Sequence, residues 1–294
     1  MSALPPALFN ALKTIRAPRL FFVPGSVFAG WALAGGADWN ADICLFALSA
    51  VLLHLFGPLS SPAVRHPGLL RTVFFVTACL PAFLTGKFFT LIPLAGIFLM
   101  MDIYRNRSKE TARCIASAMI SLLEVFLGAM VFMEGETHRR PSVFCFIFAA
   151  ALCLYQAGVS RAESSHPARL SVTPGGNMMF AGALLCYLTL FVRLGMEKMH
   201  GWTSYLPGAF SAMTAAVFLI VSWKAFRTFR KKSLPGIVKG WILALGSNIL
   251  FVQAAAVSVT GSWECGLLLV FFSFCARALH VKLYGGDSDG RRLD

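Results

Sequence analysis

The chain has 294 residues, of which 57% are hydrophobic and 13% charged, with a mean hydropathy of +0.70 and a formal net charge of +13. This composition excludes a soluble domain with one buried core and predicts a polytopic membrane protein. Apolar runs recur along the whole length without a polar linker, so we predict one transmembrane domain over residues 1–294. The cysteines form no Cys-x-x-Cys pair and are expected to be unpaired, buried side chains.

The apolar runs predict an all-α integral membrane protein. Several runs are shorter than the roughly 20 residues that a membrane-spanning helix needs, so we predict nine to ten transmembrane helices. In chain order the runs are Leu20–Gly35, Ile43–Ser60, Thr72–Gly86, Phe88–Tyr104, Cys114–Met133, Val143–Val159, Met178–Val192, Pro207–Trp223, Ile237–Val259 and Gly266–Leu279.

The two ends of the chain have a different character. In residues 1–19, Leu8, Leu12 and Ile15 share one helical face beside basic residues, which predicts a short amphipathic helix in the membrane interface. The polar tail, residues 285–294, is predicted to be flexible.

Basic residues predict the orientation, because lysine and arginine near the ends of membrane spans are retained on the cytoplasmic side. If the amino terminus is cytoplasmic, most of them lie inside. The outer loops then carry only Lys87, Arg139, Arg140, Arg193 and Lys198. We therefore predict a protein of the cell inner membrane with a cytoplasmic amino terminus. Topology and attraction to anionic membrane lipids explain the positive charge, so no nucleic-acid partner is expected.

Glu124 lies near the middle of the run Cys114–Met133, where an ionisable side chain costs at least ~2.5 kcal/mol unless it faces a polar interior. Three interpretations stay open. Glu124 is a functional acid, it is paired with a cation such as Lys239 or an arginine, or it is a protonated carboxyl that hydrogen-bonds a neighbouring helix.

For four further polar residues within spans or at their ends, a structural role is the first interpretation. A lone histidine at a helix end, such as His54, is more often a satisfied polar contact than a ligand. Gln156, Asn248 and Gln253 are expected first to hydrogen-bond between helices and second to line a cavity.

Three stretches follow one another between residues 16 and 163. The first is Arg16–Trp31, RAPRLFFVPGSVFAGW; the second is Tyr104 with Lys109 five residues on, followed by LEVFLG at Leu123–Gly128; the third is LYQAGVSRAE at Leu154–Glu163. Together they resemble the helix signatures of the UbiA superfamily of intramembrane prenyltransferases, in particular its EboC-like branch.

The resemblance implies a UbiA-like bundle around a central cavity that is open to the cytoplasmic side. It also implies that the protein handles a prenyl diphosphate or other isoprenoid lipid together with a lipophilic acceptor, among membrane lipids. The candidate substrate-binding residues are His54, Arg65, Tyr104, Lys109, Gln156 and Arg161, and the candidate catalytic acids are Asp102, Glu124 and Glu163.

One departure from the family pattern bears on mechanism. The family places Asn-Asp-x-x-Asp-x-x-x-Asp-x-x-x-Arg-Pro at the end of the second helix. Aligned on Pro67, the motif's asparagine, its three aspartates and its arginine correspond here to His54, Leu55, Pro58, Pro62 and His66. Mg²⁺ prefers carboxylate oxygens, so no metal site is assigned, and Mg²⁺ is a cofactor only if the protein is active.

Two functions therefore stay open. One is a prenyltransferase that works without the usual magnesium cluster. The other is a non-catalytic isoprenoid-binding or lipid-carrying protein on the same fold. A transporter is a third interpretation, which would require inverted repeats and broken helices at mid-membrane.

Overall fold

The computed structural model describes residues 20–36, 40–59, 67–106, 109–134, 142–164, 174–196, 205–231, 246–260 and 262–284. These residues form ten α-helices and the short 3-10 helix Phe88–Thr90, with no β-strand among them. The α-helices are α1 Phe22–Ala34, α2 Ala41–Leu59, α3 Pro67–Thr85, α4 Leu91–Asn106, α5 Glu110–Met133, α6 Val143–Ser164, α7 Pro174–Met196, α8 Tyr205–Lys231, α9 Ile249–Ser258 and α10 Trp263–Tyr284.

The prediction of an all-α membrane protein is confirmed at this level, because five helices are long and apolar enough to cross a membrane. Their spanning segments are Gly68–Thr85, Glu110–Met133, Val143–Ala162, Pro174–Met196 and Tyr205–Trp223. The apolar parts of α1, α2, α4 and α9 are shorter, so the count of nine to ten spans stays a prediction. The interfacial segment 1–19 and the tail 285–294 lie outside the described residues.

The apolar runs locate the helices well and their ends less well. The helix α5 begins at Glu110, ahead of the predicted start at Cys114, because charged and polar residues continue a helix beyond its apolar part. The helix α6 likewise continues to Ser164, past the predicted end at Val159. Glu110 in the first turn of α5 also suits the positive end of the helix dipole.

The centre of the bundle is occupied by α1 and α9. Every residue of α9 is buried, as is nearly all of α1, which packs against α2, α5, α6 and α9. The outer helix α3 is different, because Leu69, Val73, Phe83 and Leu84 are exposed on it. Exposed apolar side chains of this kind fit a lipid-facing surface.

The backbones of α1 and α5 touch where they cross. A Cβ atom added to Gly30 would lie 1.9 Å from the carbonyl oxygen of Val125, and one added to Gly128 would lie 1.8 Å from the carbonyl oxygen of Val27. Only glycine fits either position. Small residues allow such close approach, which is a main source of helix association within membranes.

Contacts between distant parts of the chain define two ends of the bundle. At the end we call the Lys87 end, Lys87 Nζ lies 2.9 Å from Asp42 Oδ2 and donates to the Val131 carbonyl oxygen at 2.8 Å. At the opposite end, the Arg71 end, Arg71 Nη1 lies 3.2 Å from Asp102 Oδ1. At one end these contacts join the turn after α3 to α2 and α5, and at the other they join α3 to α4.

We predict that Gly128→Ala destabilises the bundle by about 1–3 kcal/mol, because the new methyl group would overlap the Val27 carbonyl oxygen. Thermal unfolding of detergent-purified protein measures the effect. Gly195→Ala on α7 is the matched control, since nothing lies within 4 Å of its added Cβ. Equal melting temperatures for the two variants would contradict the close crossing of α1 and α5.

Candidate functional site

The structure pairs Glu124 with His54. Glu124 lies on α5 and is only 4% exposed, and its Oε1 atom is 2.7 Å from Nε2 of His54 on α2. Helix α5 carries Glu124 to this depth because its next residue, Val125, lies at the crossing with Gly30 of α1. A predicted catalytic acid and a predicted substrate-binding residue are therefore in direct contact.

This contact gives the buried carboxyl group of Glu124 a hydrogen-bond partner that is neither a lysine nor an arginine. A hydrogen bond of this length between an imidazole and a carboxyl group provides the buried oxygen with a close polar partner. The contact fits two of the three interpretations from the sequence, pairing with a cation and hydrogen bonding to a neighbouring helix, and the partner is a histidine. Lys239, the cation named from the sequence, lies outside the described residues.

Asp102, a second predicted acid, forms an ion pair with Arg71, so the contact ties α4 to α3. Both side chains are partly exposed, and pairs of this kind stabilise a fold weakly. Tyr104 lies on the same helix and is partly buried. Arg71 was not among the candidate site residues, although its position shortly after the sequence His66-Pro67 was a usable signal.

The remaining predicted residues are more scattered. Lys109 is exposed just before α5, Arg161 is exposed near the end of α6, and Gln156 is partly buried on α6. No hydrogen bond or ion pair between described side chains joins Lys109 or Gln156 to the two pairs above. Glu163 lies on α6, but its side chain is outside the described part, as is all of Arg65.

The acids of the described region do not fit a magnesium site. Within the described ranges, no three histidine, cysteine, aspartate or glutamate side chains are grouped closely enough to hold a metal ion. Glu124 contacts a histidine and Asp102 contacts an arginine, so each carboxylate is occupied by a nitrogen group. Mg²⁺ would require several oxygen ligands directed at one point.

A polar cluster that the sequence did not single out joins α8, α9 and α10. Arg277 on α10 donates from Nε to Ser247 Oγ at 3.2 Å and from Nη2 to Asn248 Oδ1. The amide of Asn248 in turn donates to Ser222 Oγ on α8 at 3.1 Å. An arginine inside the apolar run Gly266–Leu279 was the available signal.

The prediction that Asn248 and Gln253 bond between helices is confirmed. Besides the contact of Asn248 with α8, Gln253 on α9 donates from Nε2 to Ser26 Oγ at 2.9 Å and to the Phe22 carbonyl oxygen at 3.1 Å. These bonds hold α9 against α1. The cysteines are unpaired as predicted, but Cys44 is exposed and three others are only partly buried.

The structure thus places two acid–base pairs on four helices, α2 with α5 and α3 with α4. Comparison of the chain with known protein families, with curated proteins and with solved structures found no match. The UbiA resemblance accordingly stays a prediction from the sequence.

We predict that His54→Leu lowers the free energy of unfolding by about 3–5 kcal/mol, because it leaves the Glu124 carboxyl buried without its partner. The double variant His54→Leu/Glu124→Leu should recover most of this loss, since two apolar side chains then face each other. Thermal unfolding in detergent measures both.

Arg71→Leu is the control, because its pair with Asp102 is partly exposed and should contribute only about 0–1 kcal/mol. A loss for His54→Leu no larger than that of the control would contradict a buried acid–base pair, as would a double variant less stable than His54→Leu alone.

Proposed function

We propose that this chain is a UbiA-like membrane protein that binds a prenyl diphosphate, or another isoprenoid lipid with a phosphate head, without a magnesium cluster and without transferring the prenyl chain. One observation carries the choice of binder over enzyme. Of the three candidate catalytic acids, the two whose side chains the structure describes, Asp102 and Glu124, are each paired with a nitrogen group. The aspartate positions of the family's first motif hold leucine and proline.

The phosphate group would be held by cations. Arg71 lies at the start of α3, Lys109 before α5 and Arg161 near the end of α6, and Arg65 precedes α3 in the sequence. Arginine binds phosphate oxygens through two parallel hydrogen bonds and lysine as a point charge, so neither requires a metal. The proposal includes a central cavity that opens at the Arg71 end.

The binder also accounts for the His54–Glu124 pair. A magnesium-dependent transferase uses its inner carboxylates to hold the metal that bridges protein and diphosphate. Here the inner carboxylate is hydrogen-bonded to a neighbouring helix and contributes to packing. The enzyme remains the second candidate, and the sequence resemblance is what favours it.

We predict that detergent-purified protein binds a radiolabelled prenyl diphosphate with equal affinity in Mg²⁺ and in EDTA. Arg161→Ala should weaken binding about tenfold, because one charge-assisted contact is lost. Arg193→Gln is the control, since Arg193 lies at the Lys87 end and donates to the Leu33 carbonyl oxygen. Absence of binding in both buffers would reject the proposal, and magnesium-dependent product formation with a lipophilic acceptor would restore the enzyme.

The proposed orientation places the Arg71 end and the amino terminus in the cytoplasm. With ten spans, the carboxyl-terminal tail is cytoplasmic as well. We therefore predict that a fluorescent reporter fused after Asp294 is active and that a periplasmic phosphatase fused there is inactive. The opposite pattern would favour nine spans.

A further inference from the structure

Arg277 has only neutral partners among the side chains that the structure describes. Its guanidinium contacts the Ser247 hydroxyl and the Asn248 carbonyl group, and its Cζ atom lies 5.3 Å from the centre of the Phe251 ring. No carboxylate within the described ranges contacts it. The side chain is partly buried, so its positive charge is partly removed from solvent.

A partly buried cation in a helical membrane protein needs a compensating negative charge or a function. The neighbouring sequence does not supply the charge, since residues 224–245, between Ser222 and Ser247, include six lysines and arginines and no aspartate or glutamate. Two other cations described inside the bundle are compensated by a carboxyl group: Lys87 faces Asp42, and His54 faces Glu124. Arg277 has no such partner among the described side chains.

The local geometry orients the guanidinium. Asn248 is held from two sides, because its carbonyl group accepts from Arg277 while its amide donates to Ser222. Asn248 immediately precedes α9 and has helical backbone angles, so its side chain is held on a regular backbone.

We infer that Arg277, held in place by Ser247, Asn248 and, through Asn248, Ser222, binds a phosphate group. The planar fork of arginine matches two phosphate oxygens, and the six lysines and arginines in the sequence 224–245 add positive charge that favours an anion. The Nη1 atom of Arg277 has no hydrogen bond to a described residue, so it can donate to the ligand. This site does not depend on the proposed isoprenoid function and uses none of its residues.

The decisive variant is Asn248→Asp. It has nearly the same shape as the wild type and keeps Arg277, but it places a carboxylate where the guanidinium already bonds. That internal negative charge should replace the phosphate. The variant should therefore lose phosphate binding about tenfold or more while its melting temperature in detergent stays equal or rises.

The assay is native mass spectrometry of the full-length, detergent-purified chain with dioleoyl phosphatidic acid, and with dioleoylglycerol as the phosphate-free lipid. Wild type should retain one phosphatidic acid and no preferentially bound diacylglycerol. Arg277→Gln should weaken retention about tenfold, and Arg277→Lys should weaken it less, because the charge remains. Arg193→Gln at the Lys87 end should retain the lipid as wild type does.

Competition by sodium pyrophosphate distinguishes the two sources of phosphate. Displacement of phosphatidic acid by millimolar pyrophosphate indicates a soluble ligand, and its absence indicates a lipid headgroup. Either result supports a phosphate site.

The inference is overturned if Asn248→Asp and Arg277→Gln retain phosphatidic acid as well as the wild type does, because Arg277 would then serve only to join α9 and α10. Retention of diacylglycerol equal to that of phosphatidic acid overturns it as well. Should Arg277→Gln lose its fold, Asn248→Asp decides alone. Loss of binding in Asn248→Asp with intact prenyl diphosphate binding separates this site from the proposed one.

Discussion

The contact between the backbones of α1 and α5 is the constraint on which the site depends. Gly30 and Gly128 bring each helix against a carbonyl oxygen of the other, so neither helix can rotate or slide without a clash. With α5 fixed in this way, the residue before Val125 faces α2. The depth and direction of Glu124, and hence its bond to His54, follow from two glycines.

Each ionisable side chain inside the bundle raises the same electrostatic problem, and the structure solves it in two ways. Lys87 and Glu124 receive a partner of complementary charge or hydrogen bonding from another helix. These pairs join helices to one another. Their ionisable groups are already bonded and are therefore less available to a substrate. Arg277 is held by an amide and a hydroxyl group, which orient it without neutralising it. The first solution stabilises the fold, and the second leaves a charge for a ligand.

This distinction bears on the proposed UbiA-like function. In that proposal, the carboxylates that would hold magnesium in a transferase are replaced or paired, so binding would persist without the metal-dependent transfer. The bundle does not need them, because glycine crossings, interhelical amide bonds such as that of Gln253, and apolar packing hold it together. Fold and activity can therefore be retained separately.

The sequence alone determined the class of the protein, the order of its helices and the position of Glu124 within an apolar helix, because apolar runs and a carboxyl group within one are visible without a structure. It also predicted that Asn248 and Gln253 bond between helices. Only the tertiary structure showed that His54 is the partner of Glu124 and that Arg71 pairs with Asp102. It alone also showed that Arg277 donates hydrogen bonds to Ser247 and Asn248. Each partnership joins different helices, in one case 70 residues apart, and depends on how those helices are packed and rotated. Sequence periodicity specifies which face of a helix is apolar, but not which neighbour that face will meet.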